Sequence, residues 1–349
     1  MAGQRNVSLD LMRFLGVIII MIAHAEPPAW LFQLRNFGTP LLIVASGLTY
    51  VVIYRNRSLD LVPFLKKRLS RLILPAWIFL TVFFAVTWLI FTYLGQAYPF
   101  SFGRMATSYT FYSGIGFVWI LKVYIILALI TPLALRINRA PIPNSVYFAS
   151  LLLLYIVYEL VLWRLTPYVP AVLSGFMNTV VFVILPYSLL YFYGLRLAEL
   201  TNRQIIVVAG VAFLLFGGLA VSKYLDQGAF IPTQNFKYPP TIYYLSYAFC
   251  ALNLFYLLCR NFLRPGLKAS AVIVWLSSNS LWIYLWHISA FYFWEFVIGP
   301  TNGDLLLFFI KANFLLAVGV TLTYIQIKLV KRYLSGQSRV QRQLSGLLA

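Results

Sequence analysis

Asp10, Arg13 and His24 lie in LDLMRFLGVIIIMIAH, an otherwise apolar run over residues 9–24. Ionisable groups in hydrocarbon are costly, so their presence invites a functional explanation. Arg13 and His24 are eleven residues apart. That is three helical turns plus about 20°, so a helix projects both from one face, roughly 16 Å apart along its axis. Asp10, one turn before Arg13, falls near the same stripe and can pair with the guanidinium. The face thus offers an ion pair at one end and an imidazole at the other, and an imidazole with an ordinary pKa of about 6.5 suits general-base work. His287 is the second and last histidine, and Ser280, Tyr284 and His287 recur at spacings of four and three. They form a polar stripe on one helical face. Either His287 glues helices through a neighbour's hydroxyl, or it shares a pocket with His24.

The elements that hold these groups follow from composition. Of the 349 residues, 62% are hydrophobic and only 10% charged, with a mean hydropathy of +0.84. These values exclude an ordinary soluble domain and predict an all-α, polytopic membrane helical bundle. Ten apolar runs reach the length needed to cross roughly 30 Å of hydrocarbon. They are 9–25, 36–54, 72–94, 117–135, 147–165, 179–198, 204–222, 242–260, 271–294 and 305–327. The net charge of +19 does not point to nucleic acid, because no basic block is interleaved with aromatics. It reflects topology. With the N-terminus inside, the cytoplasmic connections hold nineteen Lys and Arg and the outer ones five, namely Arg35, Arg104, Arg164, Lys223 and Lys237. Both termini are therefore predicted cytoplasmic. Residues 1–332 read as one membrane domain and 333–349 as a short cytoplasmic tail. The first span lacks a small-residue cleavage site and is expected to stay as an anchor.

The remaining candidates are weighed against plainer roles. Ser46 and Gly47 in the second span either let helices approach closely or leave room for a ligand. Arg68 and Arg71, three apart at the cytoplasmic entrance of the third span, serve topology or grip a phosphorylated ligand. Lys122 and Lys311 sit near outer helix ends, where a lysine can snorkel to headgroups. Glu159, flanked by Tyr155 and Tyr158, is a pathway residue or a snorkelling one. In the outer loop KYLDQGAFIPTQNFKYPPT, Phe236, Tyr238, Pro239 and Pro240 form an aromatic wall for a sugar ring or an ordinary turn. Cys250 and Cys259, nine residues apart in one span, receive no role.

The first eighty residues resemble the acyltransferase-3 family of integral-membrane proteins, which acylate carbohydrates and related acceptors. The likeness rests on LDxxR with Arg13-x10-His24, on the Ser46-Gly47 pair, on Arg68-x-x-Arg71 and on the ten-span layout. It implies transfer of an acyl group, acetyl foremost, from cytosolic acyl-CoA to a hydroxyl of an extracytoplasmic glycan or glycan precursor at the cell inner (plasma) membrane. On that analogy His24 is the essential catalytic residue, and Arg68 and Arg71 help hold the donor. One departure stands in the fourth span. Many family members carry a glutamate a few residues after the tryptophan, whereas here Trp119 is followed by Lys122 and no acid.

The expected site therefore has His24, Asp10 and Arg13 as catalytic residues and Arg68, Arg71 and Ser46 for the acyl-CoA donor. His287, Tyr284 and Tyr238 are assigned to the acceptor, and no metal is expected. A base near neutrality can take a sugar hydroxyl's proton as the oxygen attacks the thioester, and a covalent acyl-histidine is the variant scheme. The expected partners are acyl-CoA, the glycan and the bilayer, with homo-oligomerisation left open. A secondary transporter, or a flippase of a polyprenyl-linked glycan, is the alternative; the lack of an internal repeat weighs against it. A structural or sensor protein would tolerate loss of both histidines.

Overall fold

The computed structural model describes residues 7–55, 59–262 and 271–334. Arg5, Arg57, Arg264, Lys268, Arg339 and Arg342, which contribute to the predicted charge asymmetry, lie outside the described residues, as does the tail from 335. The helices run in the order α1 (Val7–His24), α2 (Ala29–Leu34), α3 (Gly38–Tyr54), α4 (Leu61–Tyr93) and α5 (Phe102–Tyr109). Next come α6 (Trp119–Arg139), α7 (Asn144–Leu165), α8 (Ala171–Phe176), α9 (Phe182–Arg196) and α10 (Asn202–Gln227). The described chain closes with α11 (Ile242–Phe262), α12 (Ala271–Ser278), α13 (Ser280–Val297) and α14 (Leu305–Leu334). No strand occurs among the described residues. Eight helical segments there are long and apolar enough to cross a membrane, nine if α12 and α13 form one broken span. The 18-residue α1 precedes them with Asp10 and Arg13 in its sequence.

Several helices depart from the expected boundaries; the tenth, expected to end at 327, continues to Leu334, and the seventh, expected to end at 222, continues to Gln227. The third span begins earlier than 72, because the basic segment continues as helix from Leu61 and carries Arg68 and Arg71 on α4 itself. The sixth is preceded by α8 and a π-helical turn over Met177–Val181. The ninth is interrupted at Asn279, between α12 and α13. Hydropathy registers the apolar run in each case but not where its backbone bonds shift. Local signals explain other ends. Thr201 and Gln204 form a reciprocal capping box on α10, and Gly228 closes that helix at φ 70°, the left-handed conformation that glycine adopts without steric cost. Val211, Phe213 and Leu214 of α10 and Leu152, Leu153 and Trp163 of α7 are exposed, as expected of faces solvated by lipid.

The chain divides into two compact units. The first holds α1 up to Ala23, α2, α3, the end of α6 from Leu133, and α7 to α12 through Ser277. Its centre is α3, buried continuously from Gly38 to Tyr50. There α3 packs on α9, and a methyl group added at Gly47 would lie 2.5 Å from the Tyr191 carbonyl oxygen. The closeness is a property of two backbones, so it cannot be relieved by rotating a side chain. Gly47→Leu should accordingly cost at least about 1–3 kcal/mol by overpacking, read as a lower melting temperature in detergent. Gly210→Ala, where nothing lies within 4 Å, should melt like the parent; equal melting of the Gly47 variant would show slack in the crossing. Arg196, counted from sequence only as a cytoplasmic charge, is buried. It donates to the Ile142 carbonyl at 2.6 Å, to Asn144 Oδ1 at 3.0 Å and to the Asn138 carbonyl at 3.0 Å, pinning the α6–α7 connection.

The second unit comprises His24–Pro27, α4, α5, α6 to Pro132, and α13 with α14. Here α13 lies against α14, and a methyl group at Gly319 would come within 2.9 Å of the Ile283 carbonyl oxygen and 3.5 Å of His287 Cβ. Gly319 thus lets α14 back closely onto the turn of α13 that carries His287.

Candidate active site

His24 is the last residue of α1, and the Pro27–Pro28 pair that follows prevents the helix from continuing. His287 is fully buried on α13. His24 Nδ1 lies 2.8 Å from His287 Nε2, and the two ring planes are within 8° with centroids 5.0 Å apart. Near-parallel rings with nitrogens in contact and centroids that far apart meet edge to edge, the geometry of an in-plane hydrogen bond rather than of a stack.

The proton positions follow from the next partner. His287 Nδ1 is hydrogen-bonded to the carbonyl oxygen of Tyr284. A carbonyl only accepts, so Nδ1 carries the His287 proton and Nε2 carries its lone pair. His24 Nδ1 must then donate, which puts the basic lone pair of neutral His24 on Nε2. If Nε2 takes a proton, the imidazolium keeps its Nδ1–H on His287, so the ring is held in one orientation in both protonation states. Phe117 meets the His24 ring edge-on at 4.5 Å, and the Tyr284 hydroxyl holds the Phe117 carbonyl at 2.7 Å.

Sequence reasoning missed the ion pairs that fix the chain beyond His24. Glu26, at φ 55°, accepts from the Thr301 amide at 2.9 Å. Lys311 Nζ on α14 lies 2.6 Å from Glu295 of α13 and 3.3 Å from Glu26. Lys311 is wholly buried, so the snorkelling alternative gives way to a two-carboxylate anchor. Burial alone would raise the Glu26 pKa, but the Thr301 amide and the Lys311 ammonium outweigh it and hold the carboxyl below its ordinary value. The network joins the corner after His24 to the helix that bears His287. Lys311 also lies 4.9 Å from the Phe291 ring centre, and Phe291 packs on Phe117 at 4.8 Å. The available signal was a lysine inside a span with no acid within one helical turn; its partners come from distant segments.

The other expected site residues are placed as follows. Arg68, half-buried, and Arg71, exposed, lie one turn apart on α4 in the second unit. Tyr284 neighbours the two histidines as described. Asp10, Arg13, Ser46 and Tyr238 belong to the first unit. There Asp10 is buried and accepts from Ser277 Oγ at 3.0 Å, and Ser46 is buried on α3 beside Gly47. Lys122, three residues after Trp119 in the span that departs from the family pattern, donates to the Tyr112 carbonyl at 3.2 Å. Glu159 accepts a hydrogen bond from the Tyr155 hydroxyl.

Residues 6–325 match the family model described as an acyltransferase domain, Acyl_transf_3. The chain belongs to the acyltransferase-3 family. No curated protein and no solved structure matches it. The match covers both units, including α10 to α14, where the sequence likeness rests mainly on layout. As an acyltransferase-3 protein with apolar helices of membrane-spanning length, it is a membrane acyltransferase.

Proposed function

We propose that the protein transfers an acyl group, acetyl in the simplest case, from cytosolic acyl-CoA to a hydroxyl of an extracytoplasmic glycan or glycan precursor at the inner membrane, with His24 as general base. The observation that carries this reading is the 2.8 Å bond between His24 Nδ1 and His287 Nε2 in a chain of the acyltransferase-3 family. It fixes the tautomer that a base needs. As the acceptor oxygen attacks the thioester carbonyl, His24 Nε2 takes the hydroxyl proton, the C–S bond breaks, and the CoA sulfur leaves and takes up a proton. His287 is a positioning residue, stabilising the imidazolium through its Nε2 lone pair. The test is release of CoA thiol by purified protein, dependent on added acceptor; hydrolysis that no hydroxyl compound accelerates would count against it.

Arg68 and Arg71 serve in this scheme as the grip on the phosphates of CoA. Two guanidinium forks a turn apart on α4 suit a polyanion, and the charge asymmetry puts that helix entrance at the cytoplasmic surface. Replacing both by Gln should raise the apparent KM for acyl-CoA about tenfold or more, since each charged contact is worth on the order of 1.5–3 kcal/mol. The KM for acceptor should change little. Unchanged donor KM in well-expressed protein would return the arginines to a purely topological role.

A further inference from the structure

In the first unit, the corner between α2 and α3 is strapped to the loop before α11. Thr233 donates from its amide and its hydroxyl to Gln33 Oε1, both at 3.0 Å, and its hydroxyl oxygen accepts from Asn36 Nδ2 at 2.9 Å. These bonds use one end of each amide and leave the other over. Gln33 Nε2, Asn36 Oδ1, Gln234 Oε1 and Arg35 Nε are buried with no hydrogen-bond partner among the described residues. Two cations lie in the same place. Arg35 and Lys237 are each 7% exposed, and neither has an ion pair with a described carboxylate. Their neighbours are aromatic, with the Arg35 guanidinium 3.7 Å from the Phe32 ring centre and the Lys237 ammonium 5.3 Å from that of Tyr238.

Such an arrangement costs free energy unless something compensates it. A buried cation ordinarily pairs, and a second one nearby adds repulsion. The orphaned groups include cationic and amide donors together with two amide acceptors, a set that suits an oxyanion carrying hydroxyls. Tyr238 is 49% exposed, which leaves an aromatic surface beside the cations for a sugar ring to stack on. On the charge-derived topology, Arg35 and Lys237 both lie in extracytoplasmic connections. We infer that Arg35 and Lys237, with Gln33, Asn36 and Gln234, form a binding site for an acidic sugar, whose carboxylate or phosphate the two cations hold. This rests on the acceptor being a glycan presented outside and narrows it to one bearing negative charge.

Lys237 supplies an internal reporter. Burial, and then the charge of Arg35, push its pKa down to about 7. The other groups whose fields reach this corner are the phenols of Tyr238, Tyr244 and Tyr247, which stay neutral between pH 6 and 8.5. Lys237 is therefore charged below pH 7 and loses its proton above it, so anion affinity should rise as pH falls through that value.

The experiment is equilibrium binding to the full chain in phospholipid-free detergent without acyl-CoA, using glucuronate, glucose 1-phosphate and glucose as probes. At least one anionic sugar should bind at least about tenfold more tightly than glucose. Arg35→Gln and Lys237→Met should each remove about that factor. Lys237→Arg should retain binding but lose the dependence of glucuronate affinity on pH between 6 and 8.5. His24→Ala should bind like the parent, which separates failure of this site from failure of the catalytic reading. Equal affinity for glucose and both anions, or pH-independent glucuronate binding by the parent, would overturn the inference. So would binding of phosphatidylglycerol by the parent when neither sugar anion binds, since the cations would then hold a lipid headgroup.

Discussion

His24→Ala is expected to abolish acceptor-dependent acyl transfer, with a loss of about a hundredfold to ten-thousandfold in kcat, while the protein folds and binds acyl-CoA as before. The imidazole is half-buried at the end of α1, so its truncation removes little packing, whereas the His24 Nε2 lone pair is lost with it and that of His287 lies on a fully buried ring. His287→Ala should be milder. It leaves the His24 Nδ1 proton without its acceptor, an unsatisfied donor worth on the order of 1–3 kcal/mol, which corresponds to roughly ten- to a hundredfold in rate. A purely structural His287 would alter melting and leave kcat of the folded fraction unchanged. His287→Gln, whose amide oxygen can still accept from His24, should recover part of the rate. Parent-like turnover by His24→Ala would reduce the imidazole to a packing group.

Lys311→Met should be the most destabilising single substitution considered in the second unit. It removes a fully buried ammonium that lies 2.6 Å from Glu295 and 3.3 Å from Glu26, leaving two carboxylates facing each other without a counter-charge. Breaking a buried ion pair on one side costs about 3–5 kcal/mol. Glu26 and Glu295 retain 38% and 26% of their side-chain exposure, so a cost of about 2–4 kcal/mol is expected after solvent screening. The readout is the melting temperature in detergent, where a change within error would deny the anchor. A pH series gives the sign independently. The folded pKa of Glu26 is below its ordinary 4.5, so its contribution to stability is fully present above pH 4.5 and is lost as pH falls through the lowered folded value. The Lys311→Met protein should lose much of that acid sensitivity.

Composition and hydropathy alone establish the class, the order of the apolar spans and the residues worth suspecting. Hydrophobic runs of the right length exist only to be helices in lipid, because unpaired backbone groups cannot be left in hydrocarbon. Arg13, His24 and His287 stood out because charge and imidazole are rare in such runs. The close resemblance was confined to the first eighty residues, yet the family match extends to residue 325.

Tertiary structure alone decided what those residues do to one another. His24 and His287 are 263 residues apart in the chain, and no helical spacing predicts that Nδ1 of one meets Nε2 of the other. Nor could the chain show that the Tyr284 carbonyl fixes the proton positions. Lys311 read as a lysine near a helix end because its carboxylates come from a corner after α1 and from α13, neither within a helical turn of it. The corner at Arg35 and Lys237 was divided in the same way between two connections 202 residues apart, each an ordinary outer-loop charge on its own. Periodicity reports which residues share a face within one element; a site assembled from several elements depends on distances that only packing sets.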